Sequence, residues 1–152
     1  MSLHDRIDAD LRTAMKERDK ARTSALRMLV AALKNRATAD GLSPQGRLDD
    51  EVVQKVVASE VKRRREAAAA FEQAGRAESA ASETAEAELY EAYLPAQLSD
   101  EELSAIVDEA ISETGADSPK QIGQVMKVAM AKVQGRADGS RVSALVKERL
   151  TG

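Results

Sequence analysis

The stretch DDEVVQKVVASEVKRRREAAAAFEQA, residues 49–74, decides the fold. Its five valines belong to a residue type that is common in strands. Their spacing nevertheless follows one face of a helix, because the strict alternation of a strand fails at both Val-Val pairs. Gly75 comes directly afterwards, and glycine frequently ends a helix. We therefore predict one long helix from about Asp49 to Ala74.

Upstream of this stretch, the apolar periodicity predicts two more helices. The first runs from about Leu3 to Arg18, and Asp19 is either a break or the N-cap of the second helix. The second helix ends before residues 40–46, which contain two glycines and a proline. Its apolar stripe has four members: Leu26, Leu29, Val30 and Leu33.

Downstream, an alanine-rich fourth helix is predicted from about Ser79 to Tyr93. It ends at Leu94-Pro95, because proline disfavours the helical conformation in the residue before it. Tyr93, directly before this boundary, is expected to pack the junction between the two parts of the chain.

Three shorter helices follow. Ser99 and Glu102 have the spacing of a capping box, and Ser118-Pro119 is a start signal for the next helix. The fold class is therefore all-α. We predict an N-terminal helical domain of about four helices in residues 1–95 and a C-terminal three-helix bundle in residues 96–152.

Composition excludes several kinds of site. The chain has no cysteine, which excludes disulfides and thiolate chemistry, and its one histidine, His4, lies near a terminus. We expect no metal site and no cofactor. The first residues do not resemble a signal peptide, and no apolar run approaches the ~20 residues that span a bilayer. We therefore expect a cytoplasmic protein without a membrane partner.

Charge is strongly segregated along the chain. Residues 77–117 contain twelve acidic residues and no Lys or Arg, whereas the segments on both sides have an excess of bases. Such a pattern is typical of a solvated surface that pairs internally. It also fits basic ends that face a polyanion, or an acidic segment that docks a basic protein.

Five short motifs, spread in order over essentially the whole chain, resemble those of YqeY-like proteins. They are VKRRRE at 61–66, FEQAGR at 71–76, YLPAQLS at 93–99, GQVMK at 123–127 and GRADG at 135–139. The residues that we assign to the structural part of these motifs are Tyr93, Pro95, Gly123, Gly135, Asp138 and Gly139.

The resemblance implies an N-terminal helical part joined to a three-helix domain. That domain is shared with the B subunit of the glutamyl/aspartyl-tRNA amidotransferase, where it is a tail that holds transfer RNA. The resemblance also implies a carbon–nitrogen ligase label with glutamine as the amido-nitrogen donor. The catalytic cradle of the B subunit has no counterpart in this sequence, and there is no phosphate loop of the GxxxxGK[ST] type. We expect no catalytic residues and no stand-alone enzyme.

The run Lys62-Arg63-Arg64-Arg65 is the first candidate site. Four consecutive residues sweep about 300° of a helix, so they cannot all point to solvent. Arg64 lies seven residues after Val57, on the apolar side. One interpretation is an internal ion pair of Arg64 with an acid, and the other is a phosphate or partner site. The candidate binding residues are Lys62, Arg64, Arg65 and Arg76.

The turn from Gly135 to Arg141 is the second candidate site. Asp138 or Ser140 can cap the following helix, and an open helix N-terminus attracts anions. The turn is either purely structural or a phosphate site. Its candidate nucleic-acid-binding residues are Lys127, Lys132, Arg136 and Arg141.

Three functional hypotheses follow. The first is an accessory protein that binds transfer RNA, or an enzyme that charges or amidates transfer RNA, through these basic residues. The second is a protein-interaction adaptor that uses residues 77–117. The third is a subunit that supplies binding groups, rather than catalytic groups, to amide-forming chemistry on another protein.

Overall fold

The structure is a computed structural model that describes residues 1–43 and 45–151. These residues form seven α-helices and one short 3-10 helix, and none of them forms a strand, so the all-α prediction is confirmed. Pro44, one of the predicted helix-ending residues, and Gly152, the end of the predicted second domain, lie outside the described residues.

The chain divides into two compact units, Met1–Leu94 and Pro95–Gly152. The first contains four helices: α1 (Leu3–Lys16), α2 (Lys20–Ala39), α3 (Asp50–Gln73) and α4 (Ala77–Glu91). The second contains three α-helices and the 3-10 helix: α5 (Asp100–Thr114), the 3-10 helix (Pro119–Gln121), α6 (Ile122–Val133) and α7 (Gly139–Thr151).

The valine-rich stretch forms α3, as predicted from the failed strand alternation. Val53 and Val57 are fully buried and pack with Leu29 and Leu33 of α2 and with Tyr90 of α4. Full burial of one such side chain stabilises a fold by about 1.5–3 kcal/mol. The core of the first unit is therefore built from the predicted stripes.

The connection between α1 and α2 is a tight reversal. Asp19 is the N-cap of α2, and its side chain accepts a hydrogen bond from the backbone N–H of Arg22 at 3.1 Å. Arg18 adopts a left-handed conformation with φ of 57°. This conformation ends α1 at Lys16, two residues earlier than predicted, because a left-handed residue cannot continue a right-handed helix.

Helix α4 begins and ends two residues earlier than predicted. Gly75 has a φ of 74°, which glycine adopts without the steric penalty of a Cβ, so the chain reverses at once and α4 starts at Ala77. At its other end, Tyr93 and Leu94 donate turn hydrogen bonds to the carbonyls of Tyr90 and Glu91, both over 3.0 Å.

The second unit has its own core, which is formed mainly by α5, α6 and α7. The predicted capping box opens α5: Ser99 Oγ accepts from Glu102 N at 3.1 Å, and Glu102 Oε1 accepts from Ser99 N at 3.4 Å. Helix α6 ends at Val133, followed by Gln134 and Gly135 in left-handed conformations. Eleven residues form this core: Leu98, Leu103, Val107, Ala110, Ala116, Val125, Ala129, Val133, Ala137, Val142 and Val146.

Candidate functional site

Arg64 lies at the centre of a buried charge cluster between α3 and α4. It is only 8% exposed, although it belongs to a run of four bases. Its Nε atom donates to Glu86 Oε2 at 3.0 Å, and the same atom lies 3.8 Å from Glu83 Oε2. Its Nη1 atom lies 3.6 Å from Glu60 Oε2. Arg64 is therefore surrounded by three carboxylates, as the internal ion-pair interpretation predicts.

Tyr90 completes this cluster. The guanidinium of Arg64 lies 5.8 Å from the centre of the Tyr90 ring, and the Tyr90 hydroxyl donates to the Ala25 carbonyl at 2.5 Å. Burial raises the pKa of Tyr90 to about 12. For Arg64, burial alone lowers the pKa, but Tyr90, Glu60 and Glu86 outweigh burial and raise it. Sequence reasoning missed this role, since only the fold brings Tyr90 to Arg64.

The other bases of the first candidate site have surroundings that differ from those of Arg64. Arg65 pairs with Glu91 at 2.7 Å, and the guanidinium of Arg76 lies 5.3 Å from the centre of the Phe71 ring. Lys62 is exposed. Arg64 and Arg65 thus have carboxylate partners that a phosphate would have to displace, whereas Arg76 has none within 4.0 Å among the described residues. A phosphate site built on Arg64, Arg65 and Arg76 stays a prediction.

Arg136 and Arg141 are occupied by contacts within the second unit. The Nε and Nη2 atoms of Arg136 donate to the carbonyls of Val133 and Lys132, both at 3.0 Å, so this side chain caps the end of α6. The Nη1 and Nη2 atoms of Arg141 donate to the Leu98 carbonyl at 2.8 Å and to Asp100 Oδ1 at 2.7 Å.

Lys132 is also paired, with Glu113 at 2.8 Å and Glu109 at 3.1 Å. These two hydrogen bonds raise the pKa of Lys132. Lys132, Arg136 and Arg141 thus all have partners within the second unit, and the phosphate site at the turn stays a prediction. These three bases hold the helices of the second unit in place, whereas Lys127 is exposed.

The turn from Gly135 to Arg141 forms one of the two predicted caps of α7. Asp138 caps α7, because its Oδ1 atom accepts from the backbone N–H of Arg141 at 2.8 Å, and the alternative cap Ser140 is exposed. Gly135 has a φ of 78°, a left-handed conformation that glycine adopts without the steric penalty of a Cβ. A Cβ at Gly123 or Gly139 would meet no atom within 4 Å in the part of the chain that the structure describes.

Tyr93 belongs to the core of the first unit. It is 6% exposed, and its hydroxyl donates to Asp10 Oδ2 at 2.5 Å. The guanidinium of Arg6 lies 5.0 Å from the centre of its ring. Burial and the hydrogen bond with Asp10 raise the pKa of Tyr93. Tyr93 was predicted to pack the junction between the two parts of the chain. Its contacts within the first unit are sufficient to explain its burial. Pro95 begins the second unit.

His4 is a structural residue of the first unit. It is 4% exposed, and its Nδ1 atom accepts a hydrogen bond from the backbone N–H of Leu48 at 3.1 Å. Burial and the positive charge of Arg47 lower the pKa of His4. The imidazole therefore holds the segment before α3 against the start of α1.

A row of bases on α2 was missed by the sequence reasoning. Lys20, Arg27 and Lys34 are spaced seven residues apart and are all exposed. The signal was present, since α2 contains five basic residues and no acidic residue. In the first half of the chain as a whole, acids of the neighbouring helices largely offset these positive charges.

Two further findings concern residues 1–43 and 45–151 as a whole. None of their helices is long and apolar enough to cross a membrane. Their histidine, aspartate and glutamate side chains form no group of three or more that could hold a metal ion.

Comparison with known proteins gives the family. A comparison with curated proteins finds no match. The family model described as Yqey-like protein matches residues 4–150, which is nearly the whole chain. This match includes all five motifs singled out in the sequence and nearly all of both compact units. The chain therefore belongs to the family of YqeY-like proteins.

Proposed function

We propose that this chain is an accessory protein that associates with transfer RNA, or with an enzyme that charges or amidates transfer RNA. Membership of the YqeY-like family supports the proposal, together with the resemblance of residues 96–152 to the tail domain of the amidotransferase B subunit. In this proposal, the unit Pro95–Gly152 is the tail-like three-helix domain, and Met1–Leu94 is the N-terminal helical part.

The observation that carries the proposal is the division of the candidate bases into two groups. Arg64, Arg65, Lys132, Arg136 and Arg141 are engaged by partners within the fold. Lys62, Arg76 and Lys127 are exposed, and none of the three has a carboxylate within 4.0 Å among the residues that the structure describes. Arg76 differs from the two lysines because its guanidinium lies over the ring of Phe71.

An exposed lysine can bind a phosphate without first breaking an ion pair. It releases a counterion when it does so, which makes the affinity depend on salt. The paired arginines play a different part in this proposal: they stiffen the helices that carry the exposed lysines. The chain thus supplies binding groups, and any amide-forming chemistry takes place on another protein.

Salt-dependent binding of labelled transfer RNA to the full chain tests the proposal. The wild-type chain is expected to lose affinity steeply as salt rises, and duplex DNA of equal length is expected to bind more weakly. The Lys62→Ala/Lys127→Ala variant should lower the magnitude of the log-affinity against log-salt slope by roughly 1.4–1.8, because each lost phosphate contact removes about 0.7–0.9.

Lys55→Ala is the matched control, because Lys55 is exposed but lies 3.9 Å from Glu51. Its slope should equal that of the wild type. Absence of salt-dependent binding to transfer RNA by the wild-type chain contradicts the proposal. An unchanged slope in the Lys62/Lys127 variant removes these two lysines from it.

A further inference from the structure

The charge of α2 is one-sided. Its 20 residues include five bases and no acid, in a chain whose overall net charge is −3. Of the five, Arg36 pairs with Asp40 at 3.0 Å, and Arg22 is only partly exposed. The other three, Lys20, Arg27 and Lys34, are exposed, and no carboxylate lies within 4.0 Å of them in residues 1–43 and 45–151.

These three bases form a straight row. A spacing of seven residues is nearly two helical turns, so the side chains lie within about 40° of one another around α2 and about 10.5 Å apart along it. The row lies about 130° around the helix from the buried stripe of Leu26, Leu29 and Leu33. The fold of the first unit therefore holds the three bases on a solvent-exposed face of the helix, which we call the outer face of α2.

Small residues separate the bases on this face. Ser24, Ala31 and Thr38 are exposed between and beyond Lys20, Arg27 and Lys34. Met28, which is 46% exposed, lies about 100° from Arg27 around the helix and is therefore at the side of the face. The outer face thus has regularly spaced cations separated by small side chains, and it has no large apolar side chain at its centre.

We propose that the outer face of α2, carrying Lys20, Arg27 and Lys34, binds the phosphate backbone of a structured RNA. The choice of RNA over other nucleic acids rests on the proposed function, whereas the phosphate chemistry rests on the face itself. Cations spaced along one rigid element contact phosphates without reading sequence. This surface is separate in sequence from Lys62 on α3 and Lys127 on α6.

The chemistry of the outer face argues against two other kinds of partner, a membrane surface and a protein. Binding of a helix in a membrane surface needs large apolar side chains on the bound face, and a stable protein interface needs apolar or aromatic anchors at its centre. The outer face has neither.

The test uses the full chain and a charge-reversal variant, Lys20→Glu/Arg27→Glu/Lys34→Glu. Glutamate is nearly as good a helix former as lysine and arginine, and circular dichroism checks that the helix content is unchanged. Binding is measured with labelled transfer RNA, an unrelated RNA hairpin and anionic lipid vesicles. We expect the variant to bind both RNAs at least about tenfold more weakly, with a salt slope smaller by roughly 2.1–2.7.

The control is Lys55→Glu/Lys120→Glu/Lys147→Glu, which changes the net charge by the same amount with exposed lysines outside the outer face. The control should keep most of the affinity for RNA. Equal losses in the two triple variants overturn the proposal, because net charge alone would then explain binding. Binding of the wild type to the vesicles but to neither RNA also overturns it.

The outcomes separate this inference from the proposed function. If the face variant binds RNA like the wild type while Lys62→Ala/Lys127→Ala weakens binding, the inference fails and the proposed function stands. If the wild type binds the hairpin and transfer RNA equally, and both are lost in the face variant, the inference stands and the preference for transfer RNA fails.

Discussion

The Nε atom of Arg64 on α3 donates to the Oε2 atom of Glu86 on α4 at 3.0 Å. This bond turns one member of the basic run at residues 62–65 away from solvent and into the protein. Its neighbour Arg63 is exposed and lies 3.7 Å from Glu60 at its closest ion-pair contact. Two adjacent arginines thus have opposite environments, since 100° of helix rotation separates them.

Replacement of Arg64 by alanine should destabilise the first unit by about 3 kcal/mol, because Glu60, Glu83 and Glu86 would be left together without their shared cation. Tyrosine fluorescence during urea unfolding measures this, since both tyrosines of the chain, Tyr90 and Tyr93, belong to the first unit. Arg63→Ala is the matched control and should change the free energy of unfolding by no more than about 0.5 kcal/mol. Equal unfolding midpoints for the two variants would contradict the assigned role of Arg64.

Replacement of Tyr90 by phenylalanine should lower stability by about 1–2 kcal/mol at pH 8, because the buried carbonyl of Ala25 loses its donor. The difference in the free energy of unfolding between wild type and variant should become smaller as pH rises from about 10 to about 12. The pKa of Tyr90 is raised to about 12 in the fold, so the unfolded chain loses this proton first. Unfolding in urea at pH 8, 10 and 11 checks the trend, and a gap that stays constant up to pH 11 would rule it out.

Acid should weaken the first unit through His4. Its pKa is lowered in the fold, so its contribution is fully present above about pH 6.5 and is lost as pH falls through the folded pKa. A His4→Asn variant, whose side-chain oxygen lies at about the position of Nδ1 and so can accept from Leu48 N without titrating, should show a flatter stability profile between pH 7 and pH 5. Measurement of both profiles by tyrosine fluorescence tests this. Parallel profiles would show that His4 does not titrate differently in the two states.

Loss of the Asp138 cap should fray α7. Asp138→Ala removes the acceptor of Arg141 N, which typically costs about 1 kcal/mol, whereas Ser140→Ala leaves this hydrogen bond intact and should be near neutral. Hydrogen exchange of the first-turn amides of α7 is the direct measurement. Faster exchange in the Ser140 variant than in the Asp138 variant would reverse the assignment.

Replacement of Arg136 and Arg141 together by alanine should lower the stability of the second unit and have little effect on the binding of transfer RNA. The carbonyls of Lys132, Val133 and Leu98 would lose their charged donors, so the midpoint of thermal unfolding of the second unit should fall. The salt slope for transfer RNA, measured below that midpoint, should change less than in Lys62→Ala/Lys127→Ala. A larger change in slope than in Lys62→Ala/Lys127→Ala would indicate that Arg136 and Arg141 contact phosphates.

The local rules of helix formation explain why the helices were predictable. The valine pairs of α3, the cap Asp19 and the Ser99/Glu102 box each depend on residues within four positions of one another, so the sequence alone contains the necessary information. The predicted ends of the helices were less accurate than their existence and order. Arg18 adopts a left-handed conformation, and nothing in its residue type predicts that.

The candidate sites depended on contacts that a sequence does not contain. Arg141 was named as a candidate nucleic-acid-binding residue, and nothing in the sequence indicated that it donates to the carbonyl of Leu98, 43 residues away. Arg64 is the partial exception, since its position on the apolar side of α3 indicated an internal partner but could not identify Glu86. Charge type and helix face could be predicted, whereas the partner across the helix interface could not.

The sequence by itself determined the all-helical class, the order of the helices and most of their caps, because those features arise from interactions between near neighbours in the chain. Only the tertiary structure decided which bases are neutralised and which remain exposed. Ion pairs between helices require two elements to pack side by side, and hydrophobic burial along the whole of each unit sets that packing. Lys20, Arg27 and Lys34 remain exposed because the core buries a different face of α2, the one that carries Leu26, Leu29 and Leu33.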